Sequence, residues 1–235
     1  KWARLKQKKY REAEGRFLVE GMHLVEEAGK AGLLTHILCT KETVPPCTDS
    51  PCTHVTRAIL DKITGSVSGS DIAAICRFPD RSDENASRWI LLDRIQDPGN
   101  LGTIIRSAYA FGYDTILLSE GCADPYNEKV IRSTQGALFH LCIRSCSLPD
   151  AVNDLKQRGV PIYATALHKD SIPLAQLSVP DTFAVLFGNE GQGVSEELLA
   201  MSDATLFIEM ERFESLNVAV AAGITLYEMK QKRLP

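Results

Sequence analysis

Three short segments carry residues whose types and spacing could do chemistry, and the first is centred on Arg106. The run Asp97-Pro98-Gly99 is typical of a turn, and Asn100 is placed to cap the helix that follows it. Gly102 allows close packing on the start of that helix. Arg106 lies one to two turns further along, where the helix is otherwise apolar. A guanidinium in that setting needs an anionic partner, which is either a ligand or a structural ion pair.

The second segment is a glycine-rich loop directly after the apolar run Phe183–Phe187. Gly188, Gly191 and Gly193 would let the backbone approach a ligand closely. No Gly-Lys-Ser/Thr follows, which excludes a phosphate-binding P-loop, and the glycine spacing departs from the dinucleotide fingerprint. Glu209 nevertheless lies about 20 residues further on, where a ribose-binding acid would sit. A dinucleotide-dependent oxidoreductase therefore stays open at this point.

The third segment joins a strand to a long C-terminal helix predicted over residues 216–231. Ser215 is a good helix cap, and the residues after it are small or apolar, so we expect this helix to be almost fully enclosed. A polar Asn217 on a buried first turn demands a partner. That partner is either a ligand or a core hydrogen bond.

The elements that must position these segments form an α/β pattern. Apolar runs without alternation are typical of parallel strands buried on both faces, which predicts an open parallel sheet with helices on both sides. Ligands in such sheets bind at the carboxyl ends of the strands. The predicted strands cover residues 89–92, 114–118, 140–143, 161–164, 183–187 and 205–208.

A smaller α/β segment precedes this pattern. We predict a basic helix to about Tyr10, then strands at residues 17–20, 34–39 and 71–78 and helices at residues 22–30 and 57–63. The polar, aperiodic stretch 79–87 is predicted to be a linker. The predicted organisation is thus an N-terminal domain over residues 1–78, a linker and a second domain over residues 88–235.

Charge is unevenly distributed along the 235 residues. The net charge is −4, but residues 1–16 carry seven basic and two acidic side chains, a local charge of +5. A basic arm on an acidic body can hold phosphates. The side chains that we expect to contact RNA are Lys6, Lys8, Lys9 and Arg11.

The cysteines and the lack of long apolar runs indicate a cytoplasmic protein. There are seven cysteines and no Cys-x-x-Cys pair, so we expect reduced thiols and no metal site. No apolar run approaches the roughly 18 residues of a membrane span, and the charged N-terminus does not resemble a secretory signal.

In this order, the three segments resemble the TrmH/SpoU family of SPOUT methyltransferases. The first motif of that family, Asn-x-Gly-x-x-x-Arg, appears as Asn100, Gly102 and Arg106, and the second appears as residues 187–193 with Glu190. The third appears as Ser215-Leu216-Asn217-Val218. The match covers roughly residues 89–233, and residues 1–78 look like the N-terminal RNA-binding domain of the family.

The resemblance implies a deep C-terminal trefoil knot, a homodimer and S-adenosylmethionine as cofactor. It implies an RNA methyltransferase that modifies a ribose 2′-hydroxyl, with large-subunit (23S) rRNA favoured over tRNA because of the N-terminal domain. The residues implied to hold the cofactor are Gly188, Ile208, Met210, Leu216 and, less directly, Thr165.

The family account makes Arg106 the base, reaching the site of the other subunit. Because arginine holds its proton tightly, we interpret Arg106 instead as a clamp on RNA phosphate that also stabilises developing alkoxide charge. Asn100 would position Arg106 or the ribose, and Glu190 would orient the glycine loop. Ser215 and Asn217 would line the place where phosphate and ribose arrive.

The third motif departs from the family pattern. Glu209 stands where proline is usual, Arg212 stands where glycine is expected, and the loop between Met210 and Ser215 is one residue shorter. These changes keep a second interpretation open, a catalytically silent RNA-binding protein.

Overall fold

The computed structural model describes residues 2–47, 49–65, 69–167, 170–212 and 215–231. The chain packs as two compact units. One contains residues 1–80 together with 124–140, and the other contains residues 81–123 and 141–235. The association of residues 124–140 with the N-terminal unit was not predicted from the sequence.

The first unit is a four-stranded sheet with helices. Its helices are α1 (Lys8–Glu14), α2 (Met22–Lys30), α3 (Arg57–Thr64) and α5 (Glu128–Thr134), and its strands are β1 (Arg16–Glu20), β2 (Leu34–Cys39), β3 (Cys52–His54) and β4 (Ile72–Arg77). The strand order is β1-β4-β2-β3, in which only the β2–β3 pair is parallel. Strand β3, three exposed residues at the sheet edge, was not predicted because it has no apolar pattern.

The predicted basic helix at the N-terminus is divided into two pieces. A short 3-10 helix over Trp2–Lys6 precedes α1, which ends at Gly15 in the left-handed conformation with φ +61°. Arg11 is buried beneath this junction, donates hydrogen bonds to the carbonyls of Leu5 (2.9 Å) and Lys6 (2.8 Å), and pairs with Asp124. Arg11 therefore connects α1 to the 124–140 segment.

Aromatic packing fixes the same segment. The ring of Phe17 on β1 lies 5.0 Å from that of Tyr126 and 6.0 Å from that of Phe139, while Phe78 lies 4.4 Å from Tyr126. Burial of such rings is among the larger contributions to a core. Residues separated by more than 100 positions thus share one hydrophobic cluster, a pairing that local sequence patterns do not contain.

The second unit is built on a seven-stranded sheet. Its helices are α4 (Pro98–Ala110), α6 (Leu148–Gln157), α7 (Glu196–Met201) and α8 (Val218–Gln231), and its strands are β5 (Arg88–Leu92), β6 (Thr115–Leu118), β7 (Cys142–Ser145), β8 (Ile162–Thr165), β9 (Ile172–Pro173), β10 (Phe183–Phe187) and β11 (Ala204–Phe207). The order is β7-β6-β5-β10-β8-β11-β9, and all neighbours are parallel. The predicted open parallel sheet with helices is confirmed.

Burial explains why the central strands could be predicted from the sequence. Every residue of β5, β6 and β10 is buried, and each strand is a continuous apolar run apart from Arg88 and Thr115 at the starts of β5 and β6. Trp89 and Leu91 pack with α6 and α7, while the intervening residues of β5 point to the other face of the sheet. Helices α4 and α8 pack against each other, with the Tyr113 hydroxyl donating a hydrogen bond to the Leu226 carbonyl at 3.3 Å.

Helix α8 is less enclosed than predicted. Val218, Ala219, Ala222 and Leu226 are buried, but Val220, Ile224 and Tyr227 lie on an exposed face. Over the part of the chain that the structure describes, none of the helices has the length and apolar character needed to cross a membrane.

Candidate functional site

The predicted motifs meet at the carboxyl edge of the parallel sheet. Strands β6 and β7 follow β5 on one side of it, whereas the next strand along the chain, β8, lies on the other side, beyond β10. The direction in which strands are added therefore reverses between β5 and β10. Such a reversal opens a crevice at the strand ends. The loops after β5, β10 and β11 all begin at this edge.

The first loop places Asn100 in the opening turn of α4. The helix is capped by Asp97, whose Oδ1 accepts a hydrogen bond from the Asn100 backbone N–H at 2.8 Å, with Pro98 at the first helical position. The prediction that Asn100 caps the helix is therefore wrong. Its side chain is instead available for contacts with other loops.

The glycine loop closes on itself beside β10. The backbones of Asn189 and Gly193 exchange hydrogen bonds of 3.1 and 2.8 Å. A Cβ at position 188 would lie 2.0 Å from the Val194 nitrogen and 2.1 Å from the Gly193 carbonyl carbon. Gly188 is required because its own loop occupies the space of a side chain, an internal constraint that the sequence analysis attributed to a ligand.

The third loop ends at Asn217, which caps helix α8. The prediction that Ser215 caps this helix is wrong. The Asn217 Oδ1 accepts hydrogen bonds from the backbone N–H groups of Ala219 (3.0 Å) and Val220 (3.3 Å) at the start of α8. Asn217 is exposed in the chain and is not on a buried turn as predicted. The prediction that it has hydrogen-bond partners is correct.

A chain of side-chain hydrogen bonds joins the three motifs. Asn100 donates through Nδ2 to Glu190 Oε1 at 2.6 Å, and Asn217 donates through Nδ2 to Asn100 Oδ1 at 3.0 Å. A carboxylate only accepts hydrogen bonds, so Glu190 fixes the orientation of the Asn100 amide, which in turn fixes that of Asn217. The remaining oxygen of Asn217 is then directed at α8.

A cavity of about 240 Å³ lies beside this chain of hydrogen bonds, at the ends of β8, β10 and β11. Its mouth is open to solvent. Apolar side chains and loop backbone form most of its wall. The predicted residues among those lining it are Thr165, Gly188, Glu190, Ile208, Met210, Ser215 and Leu216.

The altered third motif lies at the edge of this cavity. Glu209 and Arg212 are exposed, and Met210, between them, lines the cavity. Phe213 and Glu214 lie outside the described residues. Despite Glu209 and Arg212, the cavity wall still contains Ile208, Met210 and Leu216.

Arg106 is exposed on α4. Within the residues that the structure describes, its guanidinium has no hydrogen-bond or ion-pair partner, and no hydrogen bond joins it to Asn100. The structural ion pair left open by the sequence is therefore not formed inside the described chain. Of the five predicted catalytic residues, Arg106 alone stands apart from the cavity and the hydrogen-bond chain.

Asp93 supports the glycine loop and was missed by the sequence analysis. It is buried at the end of β5 and accepts hydrogen bonds from Arg94 Nε and the Ser195 backbone N–H, both at 3.0 Å. Arg94 adopts φ +57°, and its carbonyl accepts a hydrogen bond from Asn189 Nδ2 at 2.9 Å. The available signal was a carboxylate directly following the apolar run Trp89–Leu92.

Cys122 packs behind the first loop. Burial raises the pKa of the Cys122 thiol, so the thiol keeps its proton at neutral pH. Its Sγ donates to the Leu92 carbonyl at 3.2 Å and accepts from the Ile95 N–H at 3.3 Å. This thiol is part of the loop structure.

The predicted RNA-contacting residues divide into two kinds. Lys6, Lys8 and Lys9 are exposed, whereas Arg11 is buried with its guanidinium bound to the Leu5 and Lys6 carbonyls and to Asp124. The prediction for Arg11 is therefore corrected to a structural role. A basic residue in a charged run gave no sign that it was buried.

Both the N-terminal and the C-terminal part of the chain match known protein families. Residues 87–227 match the SpoU rRNA Methylase family, and residues 1–74 match the MRM3-like substrate binding domain. The 23S rRNA (guanosine(2553)-2′-O)-methyltransferase RlmP of Bacillus subtilis is 40% identical, over 97% of this chain and 94% of its own length.

Solved structures agree with this result. The AdoMet-bound rRNA methyltransferase of Sinorhizobium meliloti has a TM-score of 0.84 and 28% identity, covering 99% of this chain and 94% of that one. The SpoU methyltransferase AviRb of Streptomyces viridochromogenes, in complex with AdoMet, has a TM-score of 0.84 and 26% identity, covering 98% and 95%. The resemblance predicted from the three motifs is confirmed, and the chain belongs to the SpoU rRNA methylase family.

Proposed function

We propose that this chain transfers a methyl group from S-adenosylmethionine to a ribose 2′-hydroxyl of large-subunit (23S) rRNA. The observation that carries the proposal is the joining of Asn100, Glu190 and Asn217 beside a cavity formed by the family's loops. The relative from Bacillus subtilis, which acts on a guanosine of 23S rRNA, covers nearly the whole chain. Guanosine is therefore the first nucleoside to test.

The lining of the cavity fits the chemistry of S-adenosylmethionine. Its apolar side chains, among them Ile208, Met210 and Leu216, suit an adenine ring and an aliphatic chain, and the backbone beside Gly188 supplies polar groups. The bound cofactor supplies an electrophilic methyl group on a positively charged sulfur. Thr165, whose Oγ1 donates to the Leu186 carbonyl at 3.1 Å, fixes the edge of the cavity on β8.

The polar residues of the site position the RNA substrate. The 2′-oxygen forms the new bond to the methyl carbon as the carbon–sulfur bond breaks, and the hydroxyl proton leaves with solvent. Methyl transfer requires the oxygen and carbon to be held about 3 Å apart, a positioning task that we assign to Asn100, Ser215 and Asn217. Glu190 orients the two amides. Arg106 binds RNA phosphate and stabilises negative charge developing on the oxygen.

The exposed face of α8 supports a homodimer. Val220, Ile224 and Tyr227, at helical spacing i, i+4 and i+7, are 51%, 37% and 47% exposed. Tyr109 on the neighbouring α4 is 48% exposed, one turn after Arg106. Adjoining apolar side chains of this size mark an interaction surface, and a twofold interface here would direct Arg106 of one protomer toward the other.

A trefoil knot is consistent with the route of the chain after β10. The chain crosses β8 to form β11 and then returns as α8 to pack on α4. We include in the proposal that this return threads through a loop, which is rare among folds. We place the enzyme in the cytoplasm, where its rRNA substrate is made, and assign RNA phosphate contacts to Lys6, Lys8 and Lys9.

Cofactor binding is tested by calorimetric titration with S-adenosylmethionine, with NADH as the control. Binding of S-adenosylmethionine and not NADH is expected. The reverse result would favour the dinucleotide interpretation. If neither binds, the titration is repeated with RNA present, to test whether the cofactor binds only together with the substrate.

Activity is tested by incubating the protein with unmethylated 23S rRNA and S-adenosylmethionine, followed by mass spectrometry of the nucleosides. We expect a 2′-O-methylated nucleoside. Modification of tRNA and not rRNA would favour a tRNA enzyme. Binding of both substrates without transfer would favour a silent RNA-binding protein, the alternative motivated by exposed Glu209 and Arg212.

Arg106→Ala provides the residue-level test. Loss of an electrostatic transition-state contact lowers turnover by about 100-fold or more, while affinity for S-adenosylmethionine should change less than about twofold because Arg106 does not line the cavity. Arg158→Ala is the matched control, since Arg158 precedes β8 at the opposite edge of the sheet. Unchanged turnover of Arg106→Ala would remove Arg106 from the mechanism.

A further inference from the structure

The first unit contains a cluster of metal-binding side chains that the proposed function does not use. Cys39 lies at the end of β2, and Cys52 and His54 lie on the edge strand β3. Their ligand atoms all lie within 4.8 Å of one another. Across the described residues, no other His, Cys, Asp or Glu belongs to this group.

Strand pairing creates the cluster. In the parallel ladder Cys39 is paired with His54, and Cys52 lies two residues before His54, so both β3 side chains point to the same face. Thr53, between them, points to the opposite face and contacts His36 Nε2 at 2.8 Å. Sequence analysis expected no metal because it sought closely spaced cysteines, whereas 12 residues separate Cys39 from Cys52.

The distances match those of a tetrahedral zinc site. Cys39 Sγ lies 3.4 Å from Cys52 Sγ and 3.5 Å from His54 Nδ1. Zinc–sulfur bonds of about 2.3 Å and zinc–nitrogen bonds of about 2.0–2.1 Å in a tetrahedron place ligand atoms about 3.5–3.8 Å apart. The two distances from Cys39 Sγ are therefore close to the spacing that one ion imposes, and all three ligand atoms lie within 4.8 Å of one another.

We propose that Cys39, Cys52 and His54 bind one zinc ion, which fastens the edge strand β3 to β2. The two thiols release their protons on binding, so two thiolates balance the charge of the cation. His54 Nδ1, now 3.3 Å from the Thr40 carbonyl, exchanges that contact for the metal. Water occupies the fourth position, because Cys52 and His54 are exposed to solvent.

The ion would strengthen a weakly held part of the sheet. Strand β3 has three residues, all exposed, and its single partner among the described strands is β2. Backbone hydrogen bonds from Ile37 N–H to the Pro51 carbonyl (2.8 Å) and from Val55 N–H to the Cys39 carbonyl (2.9 Å) flank it. A metal that binds only the paired strands stabilises that pairing by mass action.

A disulfide between Cys39 and Cys52 is the competing chemistry for the same sulfur atoms. It would need an oxidant to remove two electrons and two protons, and it would leave His54 without a role. Zinc needs no redox partner and uses all three side chains. The two states are distinguished by working with reduced protein and by measuring its mass.

The test is a titration of the reduced, metal-free chain with Co²⁺, followed by displacement with Zn²⁺. We expect one Co²⁺ per chain with thiolate-to-cobalt charge-transfer absorption that Zn²⁺ abolishes. Cys52→Ser and His54→Ala should each weaken binding at least tenfold, and Zn²⁺ should raise the melting temperature of the wild-type and Cys47→Ser chains but not of these two variants. Cys47→Ser is the matched control, because Cys47 lies outside the cluster.

Three results would overturn the proposal. One is the absence of charge-transfer absorption, and another is absorption that survives both Cys52→Ser and His54→Ala. The third is a reduced chain that binds no metal but, in air, loses the mass of two hydrogens through a Cys39–Cys52 cross-link. This readout needs neither RNA nor S-adenosylmethionine, so its failure is independent of the proposed methyl transfer.

Discussion

At the scale of single residues, the site depends on groups that fix one another's orientation. The Glu190 carboxylate can only accept, so the amides of Asn100 and Asn217 each have one permitted orientation. The sequence predicted that these residues belong to one site but not that they would be hydrogen-bonded in series. Their separations of 90 and 117 positions carry no local signal for a contact.

Gly188 gives the sharpest prediction at this scale. In Gly188→Ala the new Cβ would meet backbone atoms of Gly193 and Val194 at 2.0–2.3 Å, so the loop must move. The loop forms part of the cavity wall, and a loss of only about 1.4 kcal/mol weakens binding tenfold. We expect calorimetry to show at least tenfold weaker binding of S-adenosylmethionine.

Gly191→Ala is the matched control in the same loop. A Cβ at position 191 would meet only Asn189 Oδ1, at 3.5 Å, which is an ordinary contact. Gly191→Ala should bind S-adenosylmethionine nearly as the wild type does. Equal affinity in both variants would mean that the close approach at Gly188 does not shape the binding site.

At the scale of elements, the central strands and the starts of α2 and α3 were predictable, but the capping residues of α4 and α8 were not. Strands β5, β6 and β10 are apolar except for Arg88 and Thr115 at the starts of β5 and β6, and the sequence shows these apolar runs directly. Capping residues were misassigned because several polar side chains stand near each helix start, and loop geometry selects among them. Asp97 caps α4 where Asn100 was predicted, and Asn217 caps α8 where Ser215 was predicted.

The double role of Asn217 makes an element-scale prediction. Its oxygen caps α8 while its nitrogen donates to Asn100. Asn217→Ala loses both, and a lost cap costs about 1 kcal/mol, or a melting temperature lower by about 2–4 °C in a protein of this size. Asn217→Asp keeps a capping oxygen but has no N–H for Asn100.

Thermal melting and methyl-transfer assays separate the two roles. Asn217→Asp should melt within about 2 °C of the wild type and yet lose activity, whereas Asn217→Ala should lose both stability and activity. Full activity of Asn217→Asp would show that the hydrogen bond to Asn100 is dispensable for catalysis.

At the scale of the whole molecule, the sequence predicted the sheet class but not all of the packing. Residues 124–140 pack with the N-terminal unit through Arg11–Asp124 and the Phe17 aromatic cluster, and neither pairing has a local signature. Helix α8 was predicted to be enclosed because it is apolar on all sides. The described chain covers only one of its faces, so the other face is available to a second copy.

Subunit mixing provides the whole-molecule prediction. If Arg106 of one protomer serves the cavity of the other, a heterodimer of Arg106→Ala with Gly188→Ala contains one site with both residues intact. Random mixing of equal amounts makes half of the dimers heterodimers, so activity should recover to about a quarter of the wild-type level. At an S-adenosylmethionine concentration well below the dissociation constant of Gly188→Ala, each variant alone should have little activity. Ile224→Glu, which places a charge on the exposed face of α8, should yield monomers by light scattering. Mixed dimers verified by mass spectrometry that remain inactive would instead locate each complete site within a single chain.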